Sequence, residues 1–159
     1  MIFCKIAGML ILFLSGLLCA MHLNSELEGK KRQVMALEEW LRFAKGQIDC
    51  FAMPISDIFA ASDGELLKAC GYAVDVLPKN FEDFFSRIEF FDKPVKDAML
   101  TFSQSFGNCY RDEQLRACER CISALSQRSA ELSVEIPKRR KLNFTLCISA
   151  ALAVAILLI

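Results

Sequence analysis

Cys118-Glu119-Arg120-Cys121 is the one string in this sequence that resembles a metal or redox motif, and Cys109 lies nine residues before it. Thiolates three positions apart share a helix face and supply half of a tetrahedral zinc site. A second Cys-x-x-Cys is missing, and Cys118 falls on an apolar helical seam, so packing of these thiols as small apolar side chains is the stronger expectation. A redox- or metal-responsive sensor using Cys109, Cys118 and Cys121 is the alternative. The single histidine, His22, sits at the edge of an apolar run, so neither a Cys-His nucleophile pair nor a histidine-based metal cluster can be assembled. No Gly-x-x-x-x-Gly-Lys-Ser/Thr loop is present, which removes nucleotide hydrolysis by that route. The carboxylate pairs Glu38-Glu39 and Asp112-Glu113 read as solvated helix faces or helix starts, not as acid and base. The inventory points away from an enzyme, and neither a cofactor nor a small-molecule substrate is expected.

The elements that carry these residues are set by where charge is allowed. Nineteen basic side chains balance nineteen acidic ones, so no general attraction to nucleic acid follows. Apart from Lys5, every charge lies between residues 24 and 141; residues 6–23 and 142–159 carry none. Each apolar run would rise about 27 Å as a helix, close to the ~30 Å of hydrocarbon in a bilayer. A cleaved leader is the competing reading of the first run, but Leu18 and Ala20 flank a bulky Cys19 and give a poor cleavage boundary. The division expected is therefore an N-terminal transmembrane anchor at 1–23, a helical bundle domain at 24–141, and a C-terminal anchor at 142–159. Lys138, Arg139, Arg140 and Lys141 abut the second run, and Lys30, Lys31 and Arg32 follow the first. By the positive-inside rule the bundle faces the cytoplasm, with the basic cluster at the membrane interface beside lipid headgroups. A cytoplasmic middle keeps its cysteines reduced.

Within the middle, Val34, Leu37, Leu41, Ala44, Ile48 and Phe51 alternate spacings of three and four, which predicts a long helix to about Cys50. Met53-Pro54-Ile55 interrupts it, because proline offers no donor and restricts the residue before it. Short helices are predicted after Pro54, over 65–73, over 81–91 with Asn80 as N-cap, and from Asp92-Lys93-Pro94 to Gly107-Asn108. A second long helix is predicted over 110–136, where Leu115, Cys118, Ile122, Leu125, Ser129, Leu132 and Ile136 repeat the alternation. Pro137 is expected to act as a hinge ahead of the second apolar run. The two seams predict antiparallel packing of the long helices, with short helices closing the core: an all-α antiparallel bundle flanked by two transmembrane helices.

Phenylalanine is abundant, 13 in all, and crowds into residues 81–106. Most fill the core, but neighbours such as Phe84-Phe85 and Phe90-Phe91 point in different directions on a helix. One member of each pair is therefore a candidate exposed anchor for a partner. Arg111, Asp112, Glu113 and Arg116, near the turn farthest from the apolar runs, are candidate polar contacts.

The order of a short anchor, a basic helix with a Leu37-x-x-x-Leu41 seam, a Pro54-Ile55 restart, a Gly107 to Gln114 junction and a basic stretch before a final anchor resembles the stage III sporulation protein AB family. The likeness covers essentially the whole chain, though Tyr110 and Glu113 differ from the family's usual junction residues. It implies a component of the secretion-like complex joining mother cell and forespore, located in the mother-cell membrane. It also implies a soluble region similar to the cytoplasmic helical domain of secretion and pilus platform proteins. The implied partners are the stage III sporulation protein AA ATPase and other stage III membrane proteins, which suits a chain without a phosphate loop of its own.

Overall fold

The computed structural model describes residues 2–73, 76–106 and 110–157, excepting the side chains of 2–7, 9, 10, 105, 155 and 157. Among the described residues six helices follow in order: α1 (Ile2–Phe51), α2 (Ile55–Ala61), α3 (Gly64–Ala69), α4 (Phe81–Ser86), α5 (Lys93–Phe106) and α6 (Arg111–Leu157). Among the described residues there is no strand, only an isolated antiparallel bridge between Tyr72 and Ile88. The chain divides into two compact units, Lys30–Glu131, and Met1–Gly29 with Leu132–Ile159.

In the unit Lys30–Glu131, the seam residues Val34, Leu37, Leu41, Ala44 and Ile48 are all buried, as their spacing predicts. Gln33, Ala36 and Trp40 are buried as well, so this stretch of α1 is covered on a second side. Along one edge it meets α6 running the opposite way. Lys45 Nζ lies 2.7 Å from Glu119 Oε1, and Arg111 lies 3.1 Å from Asp49 Oδ1. On the other side Trp40 organises an aromatic core: it stacks on Phe59 at 5.1 Å, tilts against Phe84 at 4.8 Å and meets the edge of Phe81 at 5.7 Å. Its indole N–H donates to Ser62 Oγ at 3.0 Å, which removes the cost of burying that polar atom. α5 is fastened at its start, where Asp92 accepts from Arg128 of α6 at 2.7 and 3.3 Å, and Arg128 also reaches Glu131.

Two short helices end earlier than their sequence predicts, and one side chain explains both. Buried Gln33 donates from Nε2 to the carbonyls of Cys70 (3.0 Å) and Glu89 (2.7 Å), and its Oε1 accepts from the Phe91 N–H (3.0 Å). α3 therefore stops at Ala69, and Gly71 turns into the left-handed region at φ +95° beside the amide. A Cβ at Gly71 would stand 2.6 Å from Gln33 Nε2, so only glycine fits both the angle and the space. α4 begins as expected, with Asn80 Oδ1 accepting from Asp83 N at 2.7 Å, but it ends at Ser86, where the chain extends to pair Ile88 with Tyr72.

The reading of Phe84 and Phe85 as exposed anchors is corrected here, since both are buried. α4 is too short to present a free face. Phe84 packs on Trp40, Phe59 and Tyr72, and Phe85 on Phe81, Phe90 and Phe102. Of the second pair, Phe91 is the exposed member at 51 %. α1 ends through Ala52, whose φ of +47° lets its N–H bond back to Ile48 O at 3.2 Å. That closure is one a glycine makes without Cβ crowding.

In the unit Met1–Gly29 with Leu132–Ile159, α1 and α6 again run antiparallel. A Cβ at Gly16 would lie 3.1 Å from Cys147 O and 3.2 Å from Ala151 Cβ, so the two backbones approach closely there. Asn143 Nδ2 donates to Asn24 Oδ1 at 3.2 Å, and Arg140 lies 3.9 Å from Glu28. Pro137, expected to act as a hinge, lies inside α6 and does not end it. α6 runs through it, because the ring's fixed φ suits a helix and proline forfeits one donor bond without forcing a break where packing continues. Among the described residues no helix is long and apolar enough to cross a membrane. The expected spans at 1–23 and 142–159 are thus not carried by these residues.

Gln33→Leu would strand the buried Cys70 carbonyl and the half-buried Glu89 carbonyl and Phe91 N–H, and Gly71→Ala would force a Cβ onto the amide. Each is expected to lower the urea unfolding stability of the full chain by about 2–4 kcal/mol, while Ala52→Gly raises it by about 0.5–1 kcal/mol. A Gly71→Ala protein as stable as the parent would remove the clamp from this account.

Candidate docking site

Arg111, Asp112 and Glu113 form the first turn of α6, and all three are exposed, as is Arg116 one turn on. They differ in what they are free to do. Arg111 is engaged by Asp49 at the end of α1, reaching both its carboxylate at 3.1 Å and its backbone carbonyl. Asp112 and Glu113 favour the positive end of the helix, a local stabilising role that leaves their carboxylates on the surface. Glu113 and Gln114 donate their backbone N–H groups to Tyr110 O at 2.9 and 3.0 Å, which sets this turn and leaves the Tyr110 ring 87 % exposed.

Phe51, the last residue of α1, is 69 % exposed and follows by two positions the Asp49 that Arg111 grips. Sequence spacing assigns Phe51 to the buried seam, yet the chain turns at Ala52 before α6 can cover it. An ion pair bracketed by an exposed phenylalanine and tyrosine is thus a surface that residue spacing alone misses. Pro54, which dictates the end of α1, is the signal that could have found it. Aromatic and arginine side chains dominate binding energy at protein interfaces.

Lys45 and Glu119 add charge along the same helix pair. The hydrogen bond between them holds the ammonium above its ordinary 10.5 and the carboxylate below its ordinary 4.5. The stabilisation is therefore present between those two values. It is lost as pH falls through the depressed carboxylate value or rises through the raised lysine value, and its exposure keeps it small. Lys138, Arg139, Arg140 and Lys141 are all exposed on α6. Arg139 is 3.8 Å from Glu135.

Cys118 and Cys121 lie in the core, not on a ligand-binding surface. Burial pushes their thiols up to about 11 and about 12, and Cys70 to about 12. Cys121 Sγ packs 3.6 Å from Met99 Sδ. Thiols held protonated and covered this way are poor nucleophiles and poor metal ligands. Cys109, the third thiol of the sensor reading, and the Gly107-Asn108 cap lie outside the described residues. Among those described, no group of three His, Cys, Asp or Glu side chains could hold a metal ion.

These features define an all-helical protein in which two long helices pack antiparallel within each unit and polar side chains act as clamps and surface pairs. The family model for stage III sporulation protein AB matches residues 5–159, and the chain belongs to that family. Membership gives it a stage III role in sporulating cells, in company with other stage III sporulation proteins. Comparison with curated proteins and with solved structures found no match.

The buried thiols make a direct test. A water-soluble disulfide reagent at neutral pH is expected to label Cys50, which is exposed, at least about a hundredfold faster than Cys70, Cys118 or Cys121. Because those three thiols are raised above their ordinary 9.0, the stability their burial contributes is fully present below that pH and declines as pH climbs beyond it. Equal labelling rates would return the Cys-x-x-Cys pair to consideration.

Proposed function

We propose that the chain is a non-catalytic membrane platform that holds its helical bundle for a cytoplasmic secretion-type ATPase to dock on. The observation that carries this is the surface of the unit Met1–Gly29 with Leu132–Ile159. Ile11, Leu14 and Leu18 on α1 and Leu142, Leu146 and Ile156 on α6 are each more than half exposed. Contiguous apolar exposure on that scale marks a face meant for lipid or partner, not for water. The helix contact beneath it favours lipid: small residues at Gly16, Cys147 and Ala151 allow close approach, and an Asn24–Asn143 hydrogen bond joins the helices, which is how spans associate without a hydrophobic drive.

On this reading the uncharged runs 6–23 and 142–159 span the mother-cell membrane at both ends of the chain. Lys138 to Lys141 sit at its inner interface beside anionic headgroups, and the bundle within 24–141 faces the cytoplasm. The docking face would combine Arg111, Asp112, Glu113 and Arg116 with the exposed rings of Phe51 and Tyr110. The stage III sporulation protein AA ATPase is the partner that family resemblance implies, with other stage III membrane proteins assembling around the anchors. Work would be supplied by that motor, since this sequence carries no phosphate loop.

The measurement is paired. In sporulating cells the protein is expected to stay in membranes through alkaline carbonate, and Glu113→Arg combined with Arg116→Glu is expected to cut recovery of the ATPase with it by about tenfold. Release by carbonate would end the platform reading, whereas undiminished ATPase recovery would end only the assignment of this face.

A further inference from the structure

The α1–α6 pair of the Lys30–Glu131 unit buries its second side under the short helices and leaves the opposite side open. Between the two helices on that side runs a groove of about 770 Å³, bounded by Arg42, Lys45 and Asp49 on α1 and by Glu119 and Gln127 on α6. Its floor has small side chains, Gly46, Ser123, Ser126 and Ala130, around Ile122. A Cβ at Gly46 would meet nothing within 4 Å, so no internal packing accounts for glycine there. A floor without bulky side chains lets another pair of helices approach closely.

We infer that this groove is filled by the same face of a second copy, forming a four-helix bundle about a twofold axis parallel to the helices. Charge complementarity names that occupant. Such an axis lays α1 of each copy against α6 of the other and preserves height, so residues level with each other within one copy become level across the interface. Lys45 is level with Glu119, and Asp49 with Arg111. Each copy's Lys45 therefore faces the partner's Glu119, and its Asp49 faces the partner's Arg111, so the two internal ion pairs widen into four-charge clusters with no like charges opposed. An axis across the helices is disfavoured, because only the parallel arrangement keeps α1 running in one direction in both copies, as anchoring in a single membrane would require.

The size of the face sets the strength. Two helices side by side over residues 30–51 and 111–131, each about 32 Å long and 10 Å wide, give roughly 600 Å² per copy, hence about 1,200 Å² in total, at the lower edge of stable interfaces. A dimer dissociating in the micromolar range is the expectation. This interface shares Arg111 with the face proposed to receive the ATPase, and its test needs no ATPase.

The full chain, held in detergent matched to solvent density, is expected to sediment at twice its 17.9 kDa mass at about 100 µM and to fall toward a single mass on dilution. Ser126→Arg, which places a long cation on the floor at an exposed position, is expected to give the single mass at that same concentration with an unchanged circular-dichroism melt. Ala124→Arg, in the separate groove between α5 and α6, is expected to leave the dimer intact. Carbodiimide coupling of a mixture of light and isotopically heavy chains is expected to yield Lys45–Glu119 peptides of mixed label. A parent chain monomeric at about 100 µM, a dimer that survives Ser126→Arg but not Ala124→Arg, or linked peptides of uniform label only, would each overturn the inference.

Discussion

A buried primary amide must place both its N–H groups and its oxygen, and Gln33 places them on backbone that belongs to no helix. Its donors hold the carbonyls of Cys70 and Glu89, and its oxygen holds the N–H of Phe91. The segments on either side of α4 are thereby fixed to the middle of α1. From that fixation follow the left-handed turn at Gly71, the bridge between Tyr72 and Ile88, and the early ends of α3 and α4. With both flanks pinned, α4 is carried over Trp40, and Phe84 and Phe85 have covered surfaces on each side. An aliphatic residue at position 33 could supply the burial but not the three partners, and stranded backbone groups in a low-dielectric core are costly.

The rest of the Lys30–Glu131 unit is a division of labour between apolar burial and charge. Trp40, Phe59, Phe81 and Phe84 supply the area removed from water, while ion pairs at Lys45–Glu119, Asp49–Arg111 and Asp92–Arg128 fix which element lies beside which. Surface pairs contribute little energy each. Their role here is register, and Asp92–Arg128, the least exposed of them, ties the start of α5 to α6. The three core cysteines belong to the apolar side of this division, packed and protonated.

The stage III sporulation protein AB family sets the biological context, and the physical character of the two units suits it. One unit turns large apolar side chains outward and joins its helices through glycine, alanine and an asparagine pair. The other buries an aromatic core around Trp40 and turns charges outward, together with Phe51, Val76, Leu77, Phe91 and Tyr110. The proposed contribution is to hold and to be bound.

By itself the sequence determined the helical class, because spacings of three and four at Val34, Leu37, Leu41, Ala44 and Ile48 mark a buried helix face whatever it packs against. It determined the proline restart at Pro54 and the Asn80 cap for the same reason, since those are properties of a few adjacent residues. Only the tertiary structure decided that Phe84 and Phe85 are core, that Phe51 is exposed, that α6 passes through Pro137 and that Gln33 governs the turns. Each of those outcomes depends on atoms brought close from distant positions in the chain, as Gln33 meets Glu89 and Phe91, and no local pattern encodes that proximity.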